Sequence, residues 1–406
     1  VKSLVAALAV ILALVVPAAA ASAQAEPPAP VVPPGIPTVT PPVDPAAPVD
    51  PAAPPPPPEP AIPDPSPKVA VLMAKLQALD VQRTFDVAQA AFDAATAEEN
   101  GARARRDAKQ AERDAAHDQL TSAVTDAYVR NGVDAVTGSA ATLGDLVPVE
   151  SAQLLAGHAI DTDRANLAKA DADLKAADDA LAAATARTND ARSVLDGAQA
   201  ALDEANLAVG DAGRLNNRSD VSPTVVGDPV LTADELVGWY KAQGISGYAG
   251  RVDLDTMAGY YLDEGKAEQI RGDVAFAQSV IETGAFTSPL TTHNNFAGIG
   301  ACDSCPTGWD FPTPQKGVRA QAQLLHAYAD KSLRVATLAN PAVGANPDHL
   351  TVRGCCTTWN QLTGTWATDP NYGPKIMTVY VSMLQFALDQ RVAHPPIPLP
   401  ATLPGR

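Results

Sequence analysis

A chain of 406 residues, 46% apolar and 18% charged, has the length for two or three domains. Its formal net charge of −17 argues against broad electrostatic attraction to nucleic acid or to an anionic membrane surface, so no nucleic-acid partner is expected. Lys2 precedes an apolar run from Leu4 to Val16, followed by Pro17 and an Ala-rich stretch ending Ala21-Ser22-Ala23. This is the pattern of a secretory signal peptide, predicted over residues 1–25. A secreted or cell-envelope location is therefore expected, with an uncleaved membrane anchor as the open alternative. The run is shorter than the ~20 residues a spanning helix needs.

Residues 26–67 hold more than half of the chain's 37 prolines, with Ala, Val and Asp between them. They cannot build a core. A polyproline-like spacer of this length would reach on the order of 120 Å at about 3.1 Å per residue, and a linker with no length requirement fits equally well. Residues 68–212 are Ala-rich and charged, and a coiled-coil hairpin is predicted there. In the second arm Leu167, Leu174, Leu181, Leu195 and Leu202 keep a seven-residue register with Thr188 in the gap, and Ala170, Ala177, Ala184, Ala191, Ala198 and Ala205 follow three residues after each. In the first arm Ala78, Val81, Phe85, Ala88, Phe92 and Ala95 keep the same register as far as Asn100-Gly101, where Arg-rich positions are expected to break it. A glycine-punctuated tip with short helices is expected between Asn131 and Pro148. The small seam residues favour pairing of the two arms with each other.

A short linker is predicted over residues 213–229, a globular domain over 230–391 containing all four tryptophans, and a proline-rich tail over 392–406. Thr232, with Glu235 three residues later, reads as a capping box opening a helix whose buried stripe is Leu236, Trp239 and Tyr240. Further helices are predicted over 317–331 and 372–390. Before them Asp273 reads as the N-cap of a helix bearing Val274, Ala277, Val280 and Ile281 on one stripe and closed by Gly284. Glu282 then lies in its last turn, facing the negative end of the helix dipole and apolar neighbours such as Ile281 and Phe286. Both effects disfavour the charged carboxylate. A carboxyl kept protonated near neutrality is what donating a proton to a leaving sugar oxygen requires. The competing reading is an ordinary solvent-facing Glu at a helix end.

The four cysteines form Cys302-x-x-Cys305 and the adjacent pair Cys355-Cys356. Structural disulfides, a zinc site and a redox dithiol are all open. No histidine stands at a familiar zinc spacing, so no metal is expected. A bond between neighbouring cysteines requires a tight ring. The favoured pairings therefore join each of Cys302 and Cys305 to one of the later pair, or close Cys302 to Cys305 locally, the longer bridge contributing roughly 4 kcal/mol.

The string Ala277-Gln278-Ser279-Val280-Ile281-Glu282-Thr283-Gly284-Ala285-Phe286, followed by Asn294-Asn295-Phe296-Ala297-Gly298-Ile299-Gly300, resembles the glucosaminidase domains of glycoside hydrolase family 73, which are peptidoglycan hydrolases of the lysozyme superfamily. The family's Asn-Asn-x-Phe-Gly-Ile-Lys loop is altered here by Ala297 and by Gly300 in place of Lys. Thr365-Trp366-Ala367-Thr368-Asp369-Pro370-Asn371-Tyr372 resembles its Tyr-Ala-Thr-Asp-Pro-x-Tyr string, with Trp366 in place of the first tyrosine. The resemblance implies a mainly α chain, a lysozyme-like α-rich catalytic domain after a long antiparallel coiled-coil hairpin. It implies an endo-β-N-acetylglucosaminidase acting on peptidoglycan glycan strands without a cofactor, with Glu282 and Tyr372 catalytic. A second acid is expected from Ala301–Lys316, where Asp303 and Asp310 are the only acids. Asn295, Phe296 and Gly298 are expected at the cleft floor, and Trp309, Trp366 and Phe296 against sugar. A lytic transglycosylase on the same fold and an inactive wall-binding scaffold remain as alternatives. The hairpin resembles the N-terminal coiled coils of exported cell-wall hydrolases, which implies a cell-envelope protein partner or a restraint on the enzyme, with a plain spacer as the equal alternative.

Overall fold

The computed structural model describes residues 60–137, 146–215, 221–301 and 308–394. The expected signal peptide, most of the proline-rich spacer, nearly all of the proline-rich tail, and Cys302, Asp303 and Cys305 lie outside the described residues. The architecture is mainly α. Among the described residues seven α-helices carry it: α1 (Ser66–Thr137) and α2 (Leu146–Leu215), then α3 (Ala233–Ala242), α4 (Leu254–Ala267), α5 (Gly272–Glu282), α6 (Pro314–Ala329) and α7 (Tyr372–Ala393). Among the described residues β-structure is limited to isolated bridges such as Val226 with Ile270. No helix among them is long and apolar enough to cross a membrane.

Helices α1 and α2 pack against each other as an antiparallel hairpin whose arms are on the order of 100 Å long at about 1.5 Å rise per residue. Arg106 Nε donates to Asp178 at 3.0 Å and Arg113 Nε to Asp171 at 3.1 Å, a step of one heptad up one arm and down the other. Arg187 on Glu98 and Gln119 on Asp163 extend the same register. α1 runs straight through Asn100-Gly101, because one glycine costs only about 1 kcal/mol in so long a helix. The expected break at the arginines does not occur. Arg106 and Arg113 continue the seam register and pair their charges with Asp178 and Asp171 across it. The tip is also shorter than expected: Asn131-Gly132 belongs to α1 and Pro148 to α2.

In the C-terminal domain the capping box of Thr232 and Glu235 opens α3, and Leu236, Trp239 and Tyr240 are buried. α5 is the central helix, with every residue from Gly272 to Val280 buried. Glycine is required where α5 begins, since a Cβ on Gly272 would stand 2.1 Å from the Tyr261 carbonyl oxygen of α4. Asp273 is not its N-cap; that position is Arg271. The buried Asp273 carboxylate instead accepts from Val230 N at 2.8 Å, Leu231 N at 3.2 Å and Tyr380 Oη at 2.7 Å, tying the entry loop and α7 to α5.

The root of the hairpin belongs to the same core. Val69, Leu72 and Leu76 of α1 are buried with Trp239, Met383 and Leu384. Arg391 of α7 donates to Glu235 of α3 at 2.6 and 2.8 Å and to Asp80 of α1 at 2.9 Å. Leu76→Ala should therefore lower the stability of the C-terminal domain itself by about 2–5 kcal/mol. Denaturant unfolding followed by the fluorescence of buried Trp239 and Trp359 measures it; an unchanged midpoint would mean that the two parts fold independently.

Candidate active site

Glu282 is the last residue of α5 and Tyr372 the first of α7. The fold brings these two helix ends together, and the Tyr372 hydroxyl donates to Glu282 Oε1 in a short hydrogen bond. Burial pushes the Glu282 carboxyl up to about 7, while hydrogen bonds from Tyr372 and Trp366 oppose the rise. Burial and the adjacent Glu282 carboxylate both hold the Tyr372 hydroxyl well above its usual range, so it remains a proton donor at neutrality.

The loop after α5 forms the other wall. Gly298 has φ +63°, and a Cβ there would stand 2.9 Å from Glu282 Oε2, so glycine is needed both for the backbone conformation and for the approach to the carboxyl. Asn295 is fully buried and knots the loop: its Nδ2 donates to Ile299 O at 2.9 Å and to Trp309 O at 3.1 Å, and its Oδ1 accepts from Ile299 N at 3.0 Å. Trp366 Nε1 donates to Ala297 O at 3.2 Å, and its ring packs on Tyr328 with centroids 5.3 Å apart. Trp309 is 42% exposed and lies over Gly300, where a Cβ would meet the indole at 2.3 Å. The glycine in place of the family's Lys thus makes room for this ring.

The structure groups Glu282, Tyr372, Gly298 and Trp366. Among the described residues, Asn295, Phe296 and Asp310 do not take the expected roles at the carboxyl. Phe296 is a buried core side chain packed on Phe286, and a ring enclosed on every side offers no face to a sugar. Asn295 spends its amide on the loop's own backbone. Asp310 points outward, its side chain 74% exposed and 3.7 Å from His293 Nδ1. Asp303 lies outside the described residues.

Cys355 and Cys356 are bonded to each other, which removes every pairing that joins them to Cys302 or Cys305. The turn over Thr351–Gly354, held by Gly354 N on Ala327 O at 2.9 Å and Cys356 N on Tyr328 O at 2.9 Å, presents the two neighbours together. A bond between neighbours closes no long loop, so it does not supply the chain-entropy stabilisation expected of a bridge across about 50 residues.

Behind the pair lies a buried polar chain that the sequence reading missed. Gln278 Nε2 donates to Tyr372 Oη at 2.8 Å, and Gln321 Nε2 to Gln278 Oε1 at 2.8 Å. Ser279 Oγ donates to Gln321 Oε1 at 2.9 Å, and Tyr261 Oη to Ser279 Oγ at 2.6 Å. The available signal was the lack of any polar face on α5 beyond its first turn: a helix enclosed all round must satisfy Gln278 and Ser279 internally.

Residues 258–385, from α4 to α7, match the family model Glucosaminidase, described as mannosyl-glycoprotein endo-beta-N-acetylglucosaminidase. The matched stretch contains Glu282, Tyr372 and the whole polar chain behind them. An uncharacterised protein of Borreliella burgdorferi is 32% identical over 136 residues, which is 33% of this chain and 64% of that protein. The chain thus spans less than two thirds of the length of this relative. No solved structure matches.

The Glu282 carboxyl binds its proton more tightly folded than unfolded, so its ionisation between about 4.5 and about 7 costs stability as pH rises. Glu282→Gln, neutral throughout, should be more stable than wild type by ~1–3 kcal/mol at pH 8 and no more stable at pH 4. Paired denaturant titrations at the two pH values check both the sign and the window.

Proposed function

We propose that this chain is an exported peptidoglycan hydrolase that cuts the glycan strand at the β-1,4 bond after N-acetylglucosamine, with Glu282 as general acid. The observation that carries the reading is the Glu282 carboxyl in a glucosaminidase-family domain, kept protonated up to about 7 by burial and facing a loop opened by Gly298. Protonated Glu282 gives its proton to the glycosidic oxygen as the bond from that oxygen to the anomeric carbon breaks, the electron pair leaving with the oxygen. The carboxylate left behind is met by a donor already in place, the Tyr372 hydroxyl. The anomeric carbon is attacked by water under a second carboxylate, for which Asp303 is the candidate, or first by the substrate's own N-acetyl oxygen. The exposed indole of Trp309 supplies a stacking face at the edge of this loop. Export rests on the Leu4–Val16 run and the Ala-rich stretch after it.

Mass spectrometry of soluble fragments released from purified peptidoglycan tests the assignment. Hydrolysis adds one water per cut, whereas a lytic transglycosylase leaves an anhydro product without it. Glu282→Gln should keep the fold and reduce release by about 10²- to 10⁴-fold, since the amide has no acidic proton to give. Release at the wild-type rate by the folded variant would remove Glu282 from the chemistry.

A further inference from the structure

The buried chain behind Tyr372 has only one consistent direction. Gln321 Nε2 faces the backbone carbonyl of Ala275 at 3.1 Å, and a carbonyl only accepts, so the Gln321 amide must place its NH₂ on that side. The same NH₂ meets Gln278, which must then present its oxygen at 2.8 Å and turn its own NH₂ to Tyr372. The Tyr372 oxygen accepts from Gln278, so its single proton goes to the remaining partner, Glu282 Oε1. On the other side of Gln321 the oxygen is saturated consistently by Ser279, itself supported by Tyr261. All five residues are buried, with no solvent to reorient any of them.

Glu282 Oε1 is thereby reserved as an acceptor. A protonated Glu282 must carry its own proton on Oε2, the oxygen against Gly298 at the loop wall. We propose that Gln278 and Gln321 are positioning residues that, anchored on the Ala275 carbonyl, direct the Tyr372 proton onto Glu282 Oε1 and so assign Oε2 as the oxygen that delivers the reacting proton. This rests on the general-acid reading of Glu282. The leaving oxygen of the sugar must then approach on the Gly298 side of the carboxyl. After transfer, the carboxylate keeps the Tyr372 hydrogen bond on Oε1, polarised by the amides behind it.

The groups acting on Glu282 are Tyr372 from α7 and Trp366 from the preceding loop; Tyr328 of α6 packs behind Trp366 and acts on Tyr372. Removing an amide weakens Tyr372 as a donor to the carboxylate, which must raise the Glu282 midpoint.

The test is the full chain carrying Gln278→Met or Gln321→Met, which keep side-chain length and remove the hydrogen bonds. The Glu282 titration is read without substrate, from the carboxyl infrared band lost in Glu282→Gln. Gln278→Met should move the midpoint upward by about half a pH unit or more, and Gln321→Met, one bond further away, upward by less. The alkaline limb of kcat/KM on purified peptidoglycan should move with each. A merely structural role would lower stability and leave the midpoint in place, so an unmoved midpoint in whichever variant folds overturns the proposal. Failure of the general-acid reading has a different signature, namely glycan cleavage surviving in Glu282→Gln.

Discussion

The contact on which the C-terminal domain turns is the hydrogen bond between Tyr372 and Glu282, because it joins the end of one helix to the start of another inside a low-dielectric region. Two titratable groups placed there, Tyr372 buried and Glu282 half-buried, are costly unless each satisfies the other. The pair is tolerated because Glu282 is neutral over much of the pH range below about 7 and because Tyr372 receives Gln278 from behind. That requirement reaches outward. Gln278 needs Gln321, which needs Ser279 and Ala275, so α4, α5, α6 and α7 are fixed relative to one another by one directed set of bonds. The apolar packing of Phe276, Phe286 and Tyr261 around it, with ring centroids 5.2–6.3 Å apart, keeps water from competing.

Much of this could be read from the chain because it is written in periodicity and in local strings. The capping box at Thr232, the Leu and Ala heptads of α2, the helix ending at Glu282 and the Tyr372 string each depend on residues close together in sequence. What could not be read depends on pairings across the fold. Gln278 and Gln321 look like surface residues of amphipathic helices until α5 is known to be enclosed. The arginines of α1 look like a break in the seam until Asp171 and Asp178 are known to stand opposite them. Asn295 and Phe296 lie in the loop string and so read as cleft residues, yet the loop's shape requires one as its internal knot and the other as its anchor in the core. The bond between Cys355 and Cys356 depends on a turn whose hydrogen bonds to α6 no cysteine spacing announces.

The root of the hairpin extends the same logic beyond the domain matched by the family. Just before α1, the backbone at Pro60 and Ile62 grips the side chain of Asn371, which donates to Pro60 O at 3.1 Å and accepts from Ile62 N at 3.1 Å. Asn371 immediately precedes Tyr372. Asp64 and Ser66 take Asn360 at 2.7 and 3.2 Å, and Gly373 N donates to Thr363 Oγ1 at 3.0 Å. The N-terminus of α7, and with it the tyrosine that orients the acid, is therefore held from one side by the amide relay and from the other by the segment that enters the hairpin. A fragment beginning near residue 229 would retain the relay but lose this clamp and the burial of Val69, Leu72 and Leu76. The smallest unit that holds the acid in its observed geometry thus includes the root of α1. The hairpin is built into the C-terminal domain at its base, and strain applied along its arms has a short path to Tyr372 and its Glu282 partner, through the hydrogen bond from Ile62 to Asn371 and the peptide link to Tyr372.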